Sequence, residues 1–123
     1  MSTPIIFPTR DFQMWRYTVG HSQLLLRSPK STDFPTRIDV LFRGVEEFHL
    51  PTDFVGLEIS ETRRSDLNKL SMFRISPSGK KRAKVFTVRG KDYLGYVSAL
   101  RVAVHEDEGE YDDPSFFSKN NIL

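Results

Sequence analysis

The sequence predicts a single all-β domain, and three observations carry that prediction. Apolar and polar residues take turns along many brief stretches, which is the period of a strand with one buried face. Clusters of Gly, Pro, Ser and Asp interrupt those stretches at short intervals, as tight turns require. Phenylalanine occurs ten times in 123 residues, and it favours pleated, half-buried surfaces.

The elements follow in order. Phe12, Met14 and Arg16 alternate with Gln13, Trp15 and Tyr17, so Trp15 and Tyr17 are expected on one face. Gly20-His21 makes a turn, and Ser22 to Arg27, with its three leucines, completes a hairpin. SPKSTDFPT (28–36) is turn chemistry throughout. In the strand from Arg37 to Phe42, Ile38, Val40 and Phe42 share a face. Arg43-Gly44 punctuates, Val45 to Leu50 alternates again, and Pro51 ends that strand. FVGLEIS (54–60) reads as a further strand.

SETRRSDLNKLSMF (60–73) is the sole helical candidate, with Ser60 as its cap. Its apolar residues hold helical spacing for only about two turns, and 70–76 reads equally as a strand. SPSGKK (76–81) turns the chain. Arg82 to Arg89 is a strand, Gly90-Lys91-Asp92 a turn, and Tyr93 to His105 one or two further strands. The total is about seven to eight mostly antiparallel strands, a β-sandwich or rolled-up β-barrel. No β-α-β alternation supports a doubly wound sheet.

Composition sets the class. A chain of 123 residues has the size of one domain and can bury roughly two-thirds of its unfolded surface. Cysteine is absent, which excludes disulfides, thiolate metal sites and a cysteine nucleophile, and fits a reducing cytoplasm. No apolar run is long enough for a membrane helix, and MSTPIIFPTRDF lacks the form of a signal peptide. A net charge of +2 points globally to neither nucleic acid nor a membrane surface.

HEDEGEYDDP (105–114) places six carboxylates and a histidine in ten positions. A hydrated acidic cap on the last strand is the expected reading. The alternative is a low-affinity calcium site from His105, Asp107, Glu108, Asp112 and Asp113, although the spacing lacks an EF-hand pattern. A third reading lays the carboxylates against the basic stretch 80–91. That stretch holds Lys80, Lys81, Arg82 and Lys84, with Tyr93 and Tyr96 close by. Cations beside exposed rings could form a platform for single-stranded nucleic acid. The neighbouring acidic stretch argues against it, and lysines at a hairpin end also protect an edge strand.

Chemistry-bearing motifs are otherwise missing. His21, His49 and His105 hold no HExxH spacing, so a zinc site would have to assemble across strands. There is no GxSxG elbow and no phosphate loop. Glu46 and Glu47 are adjacent in a strand and point to opposite faces, unsuited to glycoside chemistry. No cofactor is implied. Exposed Trp15 and Tyr17, with Leu41 or Phe48, would mark a protein interface. Phe116-Phe117 and Ile122-Leu123 are expected to dock, on their own core or on a second copy.

TRIDVLFRGVEEFHLPTDFVGLEI (36–59), with HEDEGEYDDPS (105–115), resembles small uncharacterised bacterial domains. The order of strands is loosely similar to a pleckstrin-homology-type roll, although FFSKNNIL lacks that roll's long closing helix. No activity comes with either resemblance. The expectation is a non-catalytic interaction or accessory domain, a homodimer or a binder of other protein. The alternatives are a small-ligand or nucleic-acid binder and a metal-dependent enzyme.

Overall fold

The computed structural model describes residues 4–63 and 84–120. Among these residues, eight strands form one antiparallel sheet: β1 (Ile5–Thr18), β2 (Gln23–Ser28), β3 (Arg37–Arg43), β4 (Glu47–His49), β5 (Asp53–Thr62), β6 (Lys84–Arg89), β7 (Leu94–Ala99) and β8 (Arg101–Asp107). A 3-10 turn, Val19–His21, joins β1 to β2, and a five-residue helix, α1 (Phe116–Asn120), follows β8. The spatial order is β4-β7-β6-β5-β1-β2-β3-β8. The described residues are therefore nearly all-β, as the period-two pattern requires.

The sheet rolls around its core without closing into a barrel. Phe12, Leu24, Leu26, Val40, Phe42, Phe54, Val88 and Val97 come from six strands yet form one buried cluster. Phe42 on β3 meets Phe86 on β6 at a ring separation of 5.8 Å, although three strands lie between them in the sheet. Only strong curvature brings them together, and twisted sheets curl this way when one face has no other layer to bury it.

A corner tightens the roll. Gly44 bends the chain between β3 and β4 at φ +64, and Leu100 alone separates β7 from β8. The Leu100 N–H donates to the Arg43 carbonyl at 2.9 Å, and the Glu46 N–H donates to the Ser98 carbonyl at 2.8 Å. Glycine is needed at 44 twice over. The φ is left-handed, and a Cβ there would stand 2.5 Å from the Leu100 side chain.

Three expectations change. β1 begins at Ile5 rather than Phe12, because the register slips between Phe7 and Asp11 and Pro8 falls inside that irregular stretch, where no ladder bond is required of it. Ser60 caps no helix and lies in β5, opposite Thr87 on β6. The rest of the helical candidate, 64–73, and the turn at 76–81 lie outside the described residues. Finally, a bulge at Trp15 shifts the β1–β2 register between Met14 and Arg16. Tyr17 then opposes the core residue Leu24, while Trp15 joins Leu25 and Leu41 on the other face. The two aromatics do not share a face, since one extra residue inverts the alternation beyond it.

Candidate functional site

The outer face of β1, β2, β3 and β8 is written in rows by the strand register. Gln13, Arg27, Asp39 and His105 oppose one another across the four strands. Arg37 and Asp107 form the row on one side. On the other side come Arg16, Leu25, Leu41 and Ala103, then Thr18, Gln23, Arg43 and Arg101. A strand with charges outside and Ile38, Val40 and Phe42 inside is buried on both faces only if something covers the charges.

The acidic segment is that cover. Arg27 and Asp39 form a bidentate pair at 2.8 and 3.0 Å, each only 1% exposed. Arg27 also donates to the carbonyls of Tyr111 and Asp113, at 3.0 and 3.1 Å. Arg37 grips the same loop through the carbonyls of Glu110, Asp113 and Pro114, and pairs with Asp107 at 3.2 Å. The Trp15 ring lies between the Arg27 guanidinium, 4.6 Å from its centroid, and the Tyr111 ring, which meets it edge-on at 5.0 Å. Gly109 lets the loop pass this close, since a Cβ there would be 2.6 Å from the Arg37 guanidinium carbon.

The stretch 105–114 is thus held by its backbone, while Glu106, Glu108, Glu110 and Asp112 stay exposed to water. Glu106 accepts from the Thr36 hydroxyl and Glu110 pairs with Lys30, so the hydrated-cap expectation misses these partners as well as the anchor. The reason is that carbonyls carry no sequence signature, so Arg27 and Arg37, spaced far from the loop in sequence, give no sign of gripping it. Asp107 shows the resulting electrostatics. Burial pushes its carboxyl up, but the Gly109 N–H, the hydrogen bonds and charge of Arg37, and His105 together hold it below the ordinary carboxylate range.

The terminal aromatics dock on their own chain. Phe117 is buried against Leu25 and Leu41, and Phe116 stacks on His105 at 3.8 Å. Leu41 is therefore covered rather than exposed. Ile122 and Leu123 lie outside the described residues.

Lys80, Lys81 and Arg82 lie outside the described residues, and Lys84 pairs with Glu61 at 3.7 Å. Tyr93 and Tyr96 spend their hydroxyls inside the fold. Tyr93 donates to the Gly56 carbonyl at 3.0 Å, and burial pushes its phenol well above the usual range. Tyr96 is buried and donates to Glu47 at 2.9 Å. Tyr93 also packs its ring on Phe54 at 4.6 Å. Tyr17 is exposed and leans on Phe48 at 5.6 Å.

His49 and His105 lie on different strands. His49 on β4 stacks on Tyr96, and His105 on β8 lies 3.5 Å from Asp107. Asp107 accepts from Gly109 and Arg37, and Asp113 accepts from the Glu110 N–H at 2.9 Å. Among the described residues, no group of three or more histidine and carboxylate side chains stands ready for a metal ion. No helix among them is long and apolar enough to cross a membrane.

Two surface features lie beside the docked segment. One is the outer edge of β8, which has β3 on one side and no strand on the other among the described residues. The other is a cavity of about 320 Å3 over the rows Arg16–Leu41 and Thr18–Arg43, walled by Ser115, Phe117 and Ser118. Sequence reasoning missed both, because each depends on which strands end up as neighbours. No protein-family model, curated protein or solved structure matches the chain.

Proposed function

We propose that the chain is a non-catalytic interaction domain that self-associates through the outer edge of β8. The observation that carries this reading is the self-complementarity of that strand. RVAVHED runs from Arg101 to Asp107, seven residues with no proline and no bulge against β3. Paired antiparallel with a second copy about Val104, each Arg101 faces the partner copy's Asp107 position. Ala103 then faces His105, and Val104 faces itself. Registers centred on Ala103 or His105 bring no opposite charges together. Edge strands of soluble proteins are ordinarily blunted by proline, bulges or inward charge. Val104 is instead 36% exposed at the centre of this one.

A two-fold pairing of this kind is isologous and closes on itself. One strand pair buries little area, so the dimer is expected to be of roughly micromolar affinity or weaker. A bacterial, cytoplasmic setting belongs to the same proposal, and the absence of cysteine fits the cytoplasm.

The test is sedimentation equilibrium across a wide concentration range. The parent chain is expected to dimerise. Val104→Lys, which sets two ammonium groups against each other at the two-fold axis, is expected to stay monomeric with an unchanged far-UV spectrum. A parent that remains monomeric at the highest concentration, or a Val104→Lys variant that dimerises as the parent does, overturns the proposal.

A further inference from the structure

The acidic segment lies on the sheet much as a bound peptide lies on a receptor. Among the described residues, the main core contains nothing beyond Val102. Phe117 belongs instead to a small separate cluster with Leu25 and Leu41, on the other face of the sheet. The roll therefore buries its interior without help from residues 108–118.

The sheet itself builds the seat. Arg27 gives Nε and Nη2 to Asp39, and Nη1 to the carbonyls of Tyr111 and Asp113. Arg37 gives Nε and Nη2 to Asp107, and Nη1 to the carbonyls of Glu110 and Asp113. Lys30 reaches the Glu108 carbonyl at 3.1 Å. The two carboxylates belong to the strands, so they fix the guanidinium planes and leave Nη1 facing the main chain laid across them. Every peptide has carbonyls, so this part of the grip does not depend on the segment's sequence. Two ring seats do. Tyr111 meets Trp15 edge-on, with its hydroxyl 3.4 Å from Gln13 Oε1, and Phe117, six positions on, lies against Leu25 and Leu41. Charge is complementary as well. Residues 108–118 carry four carboxylates and no basic side chain, and Glu110 pairs with Lys30.

We propose that the outer face of β1, β2 and β3 is a groove for an acidic segment of another protein, one with Tyr and Phe at this spacing, and that residues 108–118 fill it in cis as an internal competitor. Main-chain hydrogen bonds supply affinity and the two ring seats supply specificity, the division of labour that peptide-binding folds use. A tethered segment acts at an effective concentration on the order of millimolar, so an outside segment enters only by outcompeting it. The groove is thereby closed to weak ligands and open to strong ones. The inference stands apart from self-association, which uses the free edge of β8 and not this face.

The probe is a dye-labelled synthetic peptide, EGEYDDPSFFS, the sequence of residues 108–118. Its binding to the full-length chain is read by fluorescence anisotropy. The double variant Tyr111→Ala, Phe117→Ala empties both ring seats and is expected to keep the parent's far-UV spectrum. It is expected to bind the peptide saturably, one to one, and about a hundredfold or more tighter than the parent does. A peptide with alanine for its Tyr and second Phe, or with amides for its four carboxylates, is expected to bind that variant at least about tenfold more weakly. A folded double variant that binds EGEYDDPSFFS no better than a scrambled peptide overturns the proposal. Tyr111→Ala alone, at an exposed position, leaves Phe117 seated and decides the matter if the double variant does not fold. Binding no tighter than the parent's then overturns the proposal. So does a parent dimer that survives Val104→Lys and is lost in the double variant, because the occupant would then be the same segment of a second copy.

Discussion

Removing the Asp39 carboxylate tests the account of the acidic segment most directly. In Asp39→Ala, Arg27 keeps its place in the sheet, 1% exposed, and loses both bonds to the carboxylate. Its remaining acceptors are the carbonyls of Tyr111 and Asp113. A buried charge that loses its partner costs about 3–5 kcal/mol. A domain of this size is stable by about 5–15 kcal/mol, so the loss is a large share of the total. The thermal midpoint is expected to fall by roughly 10–20 °C. Asp39→Asn keeps one acceptor oxygen and is expected to fall between the variant and the parent. Equilibrium unfolding in urea, followed by far-UV circular dichroism, measures the loss. Fluorescence gives a second view, because Trp15 is the chain's single tryptophan and lies on Arg27 and Tyr111. If the segment docks through Arg27, the fluorescence of Asp39→Ala changes before the sheet melts. A loss under about 1 kcal/mol, with an unchanged Trp15 signal, refutes the claim that Arg27 is buried and anchors the loop.

Other outcomes follow from the same geometry. Asp107 titrates in the folded protein below its unfolded value of 3.8, so its contribution is fully present above about pH 4 and is lost as pH falls through the folded value. Asp107→Asn is therefore expected to lower stability at neutral pH and to flatten its fall on acidification, read by urea unfolding at a series of pH values. Gly44→Ala forces a left-handed φ on a residue with a Cβ and drives that Cβ into Leu100, so a loss of about 1–3 kcal/mol is expected in the same assay. Tyr93→Phe gives up the bond to the Gly56 carbonyl, for about 1 kcal/mol. Because burial keeps the Tyr93 phenol protonated through the ordinary range, the folded variant is expected to match the parent's phenolate absorbance rise across that range.

The fold was largely legible because alternation is local. Ile38, Val40 and Phe42 declare their common face within a few residues of each other, and the core contains all three. Turn chemistry at 28–36 and 90–92 separates strands where the structure separates them. The candidate sites were not legible in the same way. Trp15 and Tyr17 alternate in sequence as if on one face, and a bulge no sequence signal announced put them on two. Tyr93 and Tyr96 read as candidate stacking rings, yet their hydroxyls bond residues some 37 and 49 positions away. The docking of Phe117 was foreseen as a need of the chain, but its seat between Leu25 and Leu41 depends on β2 and β3 being neighbours.

Sequence alone determined that most of the described chain forms strands, and that Ile38, Val40 and Phe42 of β3 go inward, because the hydrophobic effect acts on a pattern of period two. Tertiary structure decided what the outward residues do. Arg27, Arg37 and the carbonyls of 110–114 meet because β8 pairs with β3 and the chain then folds back over the sheet. Arg16 and Arg43 flank one hollow because β2 lies between their strands. Burial is a property each residue carries in its own side chain, whereas partnership between distant polar groups exists only once the strand order is set.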